Sequence, residues 1–111
     1  AILNAGMNDF MRTALYDAIH NIIPVIKNSK KSNWPLEFVG PICETTCKFI
    51  KYNKYQRIHQ SDYVAISDVG AYGASLSSNY NTKPLIAEII VNKSKARVIR
   101  KKQDIKSLLN Q

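Results

Sequence analysis

Glycine and proline cut this 111-residue chain into short pieces. Gly6 interrupts an apolar start, Pro24 falls after a helix-like run, Gly40-Pro41 forces a turn, and Gly70 and Gly73 lie in a stretch of small residues. Proline removes a backbone donor and clashes inside a helix, while glycine lets the chain turn sharply or approach a ligand closely. Short strands and few helices fit between such breaks. Two of these breaks also carry chemically active side chains: Gly40-Pro41-Ile42-Cys43-Glu44, and Gly70-Ala71-Tyr72-Gly73 running on to Ser78-Asn79-Tyr80-Asn81.

The pieces read as follows. Ala1–Ala5 is the end of an apolar strand. Asn8 or Asp9 caps a helix over roughly Asp9–Asn21, with Phe10, Ala14, Leu15, Ala18, Ile19 and Ile22 at helical spacing. Pro24 ends or bends it, Lys27–Trp34 is a polar loop, and Pro35 keeps Trp34 extended. Leu36–Ile42 and Tyr63–Ile66 are strands, Cys43–Tyr52 fits either type, and Gly70–Ser78 is a turn with room for a short helix. Ala87–Val91 and Ala96–Ile99 form a hairpin across Asn92-Lys93-Ser94-Lys95, and Asp104–Leu109 is a short terminal helix. The pattern predicts one small domain over 1–111, mainly β with short helices and built on antiparallel strands.

A hydrophobic share of 45% is enough for a modest core. No basic leader precedes a long apolar run, and no stretch reaches the ~20 apolar residues of a membrane span, so the expected compartment is the cytoplasm, with no membrane partner. The abrupt apolar start without methionine suits a fragment or a processed piece. Sixteen Lys and Arg against eight Asp and Glu give a formal charge of +8. The cations are scattered, clustering at Lys27–Lys31, Lys48–Lys54 and Lys93–Lys102. Of these, Lys48-Phe49-Ile50-Lys51-Tyr52-Asn53-Lys54-Tyr55 comes nearest to a basic stripe with interleaved aromatics. A solvated lysine-rich face is the favoured explanation, since charge runs are usually just that, and nucleic acid is not the expected partner. Cys43 and Cys47 stand in a C-x-x-x-C spacing that matches neither a redox nor a zinc pattern, and His20 and His59 are distant in sequence, so no metal site is expected.

Chemistry then rests on three groups of residues. Cys43 follows a Gly-Pro turn that can hold its thiol toward a cleft, and Glu44 beside it can accept hydrogen bonds from an ammonium group; a buried, inert cysteine is the alternative. Arg12 and Tyr16, four apart, share one helix face, where a planar guanidinium and a hydroxyl suit a carboxylate or simply stack together. Tyr72 between small residues suits a ring against a planar ligand, or an ordinary core tyrosine, and Asn79-Tyr80-Asn81 reads as a polar turn with local hydrogen bonds.

The same segments, in order, resemble the diaminopimelate decarboxylases, within the pyridoxal phosphate-dependent ornithine/diaminopimelate/arginine decarboxylase family of fold type III. Asn4 to Tyr16 resembles that family's D-A-G-M-N-D-L-x-R-P-A-L-Y, Gly40 to Thr45 its G-P-x-C-E-S, and Asp62 to Asn81 its G-D-x-x-A-x-x-x-x-G-A-Y-G…S-x-Y-N, followed by Pro84 and Glu88, one residue further apart than in its R-P-x-x-E-V tail. The chain departs from the pattern at Asn4, Thr13 and Ser61, and at Cys47, where the family has an aspartate whose loss would weaken a turn or a subunit contact.

The resemblance implies a C-terminal antiparallel β-sandwich, a Greek-key barrel-like domain, without the (β/α)8 barrel that carries pyridoxal 5'-phosphate and its anchoring lysine. It implies a homodimer in which this domain completes a barrel's active site. By the same carry-over Cys43 is the general acid that reprotonates the α-carbon after CO2 leaves meso-diaminopimelate. Glu44 binds the distal ammonium, Arg12 and Tyr16 the distal carboxylate, and Tyr72 touches both cofactor and substrate. A thiol ordinarily holds its proton at neutral pH and can donate it. Glutamate after the cysteine, with Arg12, favours diaminopimelate over the ornithine- or arginine-type decarboxylases. The alternative from another class is a degenerate or non-catalytic basic binding module.

Overall fold

A computed structural model describes residues 1–110. Among the described residues are three two-stranded antiparallel sheets and three short α-helices. In chain order these are α1 (Arg12–Tyr16), β1 (Ile22–Pro24), β2 (Leu36–Val39), β3 (Lys48–Tyr52), β4 (Val64–Ile66), α2 (Gly70–Ser75), a 3₁₀ turn (Tyr80–Thr82), β5 (Glu88–Asn92), β6 (Lys95–Arg100) and α3 (Ile105–Leu109). Strand β1 pairs with β4, β2 with β3, and β5 with β6. The mainly β, antiparallel reading therefore holds. A Cα radius of gyration of 15.2 Å exceeds the about 13 Å typical of a compact domain this long, so the molecule is open.

The longest predicted helix is the largest correction. Only Arg12–Tyr16 is helical, and Asp17 ends it in the left-handed region at φ 50°. Neither Asn8 nor Asp9 caps it. Met11 occupies the cap position, while the Asp9 carboxylate accepts the Gly6 N–H at 2.9 Å. Ile22, counted on the helical stripe, instead pairs in β1 opposite Ile66, and Leu15 and Ile19 are 56% and 82% exposed. Strand pairing with a segment more than forty residues away overrides the local 3.6-residue period. The first strand shrinks to a single parallel bridge between Ile2 and Val39, and β2 stops at Val39 rather than Ile42.

The core is aromatic. Phe10, Ile22, Phe38, Phe49 and Tyr55 are buried together, with Phe38 and Tyr55 edge to face at 5.0 Å. Two tyrosines satisfy the buried backbone of Ile22: its N–H donates to the Tyr52 hydroxyl and its carbonyl accepts from the Tyr55 hydroxyl, each at 2.8 Å. This accounts for the stretch from Lys48 to Tyr55. Phe49 and Tyr55 point into the core and Tyr52 is half-buried, while Lys48, Lys51 and Lys54 are exposed. The stretch is an amphipathic strand, β3, and the turn after it, with Phe49 and Tyr55 committed to the core.

Two segments cross at Gly6 and Gly40. A Cβ on Gly40 would lie 2.5 Å from the Cys47 sulfur, 2.7 Å from the Gly6 Cα and 2.9 Å from the Ala5 carbonyl oxygen. Only glycine fits such a crossing. The β5–β6 hairpin is different in kind: Ile89, Ile90, Val91, Val98 and Ile99 are all exposed, and Arg100 and Glu88 close its open end with an ion pair at 2.8 Å. No helix among the described residues is long and apolar enough to cross a membrane.

Candidate functional site

Three segments separated in sequence meet in a closed ring of contacts. The first is the Met7–Tyr16 segment. It joins the second, the Gly40–Cys47 loop, through the Met7 N–H, which donates to the Cys47 sulfur at 3.4 Å, and through the Thr46 hydroxyl, which donates to the Met7 sulfur at 3.8 Å. It joins the third, α2 and the turn after it, through the Ser78 N–H donating to the Asn8 carbonyl at 2.8 Å and through Arg12 stacked on Tyr72. The second and third close the ring where the Tyr80 hydroxyl donates to a Glu44 carboxylate oxygen.

Cys47, where the family pattern has an aspartate, is 4% exposed, and its sulfur accepts the Met7 N–H. Its carbonyl also accepts the Gly40 N–H at 2.8 Å. The turn is therefore held without a carboxylate. Cys43, by contrast, is an exposed free thiol. The Gly40–Cys47 loop thus sends one sulfur inward as a fastener and leaves the other at the surface, available for chemistry.

Arg12 and Tyr16 share the α1 face as their spacing predicted, with the guanidinium carbon 5.8 Å from the Tyr16 ring centroid. The same guanidinium lies 5.0 Å from the Tyr72 centroid. It is thus held between two rings that are 63% and 61% exposed. Tyr72 is consequently no core residue. Among the described residues Arg12 makes no ion pair and no side-chain hydrogen bond, and its planar fork remains available to a carboxylate.

Glu44 is exposed and has no cationic partner among the described residues. Its side chain meets the Tyr80 hydroxyl, whose pKa is raised above the ordinary phenol value first by that hydrogen bond and then by the carboxylate charge, with lesser contributions from burial and nearby Cys43. The arrangement therefore offers one unpaired guanidinium, one unpaired carboxylate and one thiol. An amino-acid end group carries the matching carboxylate and ammonium. For a planar aldehyde cofactor such as pyridoxal phosphate, Tyr72 provides an exposed ring. No lysine lies in the ring of contacts, so these residues fit a supporting role toward that cofactor and not its attachment.

Sequence reasoning missed Tyr80, which read as part of a local turn. The signal that could have found it is only its place in the S-x-Y-N stretch, because its partner lies 36 residues away.

Residues 1–70 match the family model described as the pyridoxal-dependent decarboxylase, C-terminal sheet domain. The chain is 40% identical over 108 residues to diaminopimelate decarboxylase of Zymomonas mobilis, covering 97% of this chain and 25% of that protein. It is 39% identical over 107 residues to the enzyme of that name from Helicobacter pylori, covering 96% and 26%. Among solved structures it resembles Helicobacter pylori diaminopimelate decarboxylase complexed with L-lysine, with a TM-score of 0.88, 38% identity, and coverage of 98% and 27%. The enzyme of that name from M. jannaschii, also in complex with L-lysine, gives a TM-score of 0.90 at 32% identity, with coverage of 97% and 24%. The chain spans about a quarter of the length of the relatives it matches.

Proposed function

Because the chain belongs to the pyridoxal-dependent decarboxylases, through their C-terminal sheet domain, we propose that it forms the substrate-facing part of a diaminopimelate decarboxylase. That enzyme converts meso-2,6-diaminopimelate to L-lysine and CO2. The observation that carries this reading is the closed ring of contacts, which gathers Arg12, Glu44, Cys43 and Tyr72 from three separate segments.

The chemistry divides among them. Arg12 and the Tyr16 hydroxyl take the distal carboxylate of the substrate, and Glu44 takes the distal ammonium. Cys43 holds a proton at its sulfur and delivers it to the α-carbon after CO2 departs. Pyridoxal phosphate, when bound, supplies the electron sink that makes loss of CO2 feasible. Tyr72 would offer its exposed ring to that cofactor, and it keeps Arg12 in place. In this reading the lysine that anchors the cofactor belongs to a barrel domain, and the site is shared between the subunits of a cytoplasmic homodimer.

The test is substrate choice. The full-length protein carrying this chain, supplied with pyridoxal phosphate, should release CO2 from meso-diaminopimelate and not from ornithine or arginine. Release from ornithine instead would reassign Arg12 and Glu44. Loss of all turnover with an intact cofactor spectrum would favour a domain that has lost catalysis.

A further inference from the structure

We propose that Tyr80 is a positioning residue for the Glu44 carboxylate, fixing it to receive the distal ammonium of a diamino-acid substrate, and that Asn79 and Gln103 hold Tyr80 in place. The inference rests on the function proposed above and adds a residue and a device to it.

Glu44 stands on an exposed loop, where a long side chain has several rotamers open to it. The Tyr80 hydroxyl engages one of its two carboxylate oxygens. The other has no hydrogen-bond partner among the described residues and faces no competing cation. The choice of a phenol matters. A lysine or arginine in its place would orient the carboxylate but neutralise it, and the ammonium would then meet a spent charge. A neutral hydroxyl orients the acid and leaves its charge for the ligand.

The turn bearing Tyr80 is built to hold that direction. Asn81 and Thr82 both lie in the left-handed region, at φ 59° and 56°. This is unfavourable for non-glycine residues and above all for a β-branched one. Such backbone persists only when its surroundings impose it, and here they do. The Asn79 side-chain amide donates to the Lys83 carbonyl at 2.8 Å and to the Gln103 side-chain oxygen at 2.6 Å. The same Gln103 oxygen accepts the Leu85 N–H at 3.0 Å, and the Gln103 N–H returns to the Leu85 carbonyl at 2.9 Å. On the other side, Ser78 is tied to Asn8. A strained turn clamped at both flanks aims one hydroxyl at one carboxylate.

The experiment compares the full-length wild-type protein with Tyr80→Phe, Gln103→Ala, Glu44→Gln and the Tyr80→Phe/Glu44→Gln double variant. Tyr80→Phe should raise KM for meso-diaminopimelate about tenfold, the worth of a hydrogen bond to a charged group, with kcat within about twofold. Gln103→Ala should move KM in the same direction by less. In the Glu44→Gln background Tyr80→Phe should add nothing, because the two act through one contact. An unchanged KM in Tyr80→Phe, or the full tenfold effect retained without Glu44, overturns the proposal. Spectra of protein labelled at the tyrosine Cζ provide a readout independent of turnover, since Glu44→Gln should move the Tyr80 resonance. If wild-type turnover is absent, the decarboxylase reading fails on its own, and an unmoved Tyr80 resonance still overturns the contact.

Discussion

The guanidinium of Arg12 lies over the ring of Tyr72, 5.0 Å from its centroid, although sixty residues separate them in the chain. The contact orients the fork of Arg12 by stacking rather than by an ion pair, so its hydrogen-bond donors remain for a ligand. Arg12→Lys in the full-length protein should therefore lose both the stacking and the bidentate grip. We expect KM for meso-diaminopimelate to rise by roughly one to two orders of magnitude. Steady-state kinetics check this, and an unaltered KM would make Arg12 a structural residue.

Cys43→Ala should lower turnover by roughly two to four orders of magnitude, the usual worth of a general acid. The thiol is exposed and is not part of the core, so the melting temperature should stay where it was. Turnover equal to wild type would remove Cys43 from the reaction.

Gly40→Ala should destabilise the fold by roughly 1–3 kcal/mol, as overpacking does. The added carbon meets the Cys47 sulfur on one side and the backbone of Ala5 and Gly6 on the other, nearer than a Cβ can ordinarily come. Urea denaturation measures this. A variant as stable as wild type would show that the crossing is looser than described.

Burial pushes the Tyr55 phenol up from 10.0 to about 12, with nearby Tyr52 adding to the rise. The folded chain thus keeps this proton to higher pH than the unfolded chain does. Its contribution to stability is complete below about pH 10 and is lost as pH rises from there through about 12. Tyr55→Phe should cost about 1 kcal/mol at neutral pH through the hydrogen bond to Ile22, and should lose less than wild type on going alkaline. Thermal melts of both proteins across the alkaline range decide it. A constant difference between them at every pH would contradict the assignment.

What the sequence made legible was local or motif-borne. The β5–β6 hairpin was readable because its turn residues and flanking apolar runs are neighbours, α3 fell within one short segment, and α2 formed where a turn with room for a short helix was read. The length of α1 was not readable, because Ile22 answers to Ile66 rather than to its own helical period. The site shows the same division. Cys43, Glu44, Arg12, Tyr16 and Tyr72 stand in recognisable stretches. That Arg12 rests on Tyr72, that Tyr80 meets Glu44, and that the Cys47 sulfur fastens Met7 are long-range pairings that no spacing rule contains.

The exposed hairpin bears on how this chain folds as well as on its final form. Its strands are consecutive, so it can close early, before the distant pairings of β1 with β4. From that moment Ile89, Ile90, Val91, Val98 and Ile99 are a sticky template for any other extended chain. Lys93, Lys95, Arg97, Lys101 and Lys102 lie on and around it, all exposed and all of one sign. Like charges on such a ribbon act as gatekeepers, repelling a second copy from the exposed apolar side chains. Part of the excess positive charge is then a kinetic safeguard, and its protection should fade as salt screens it.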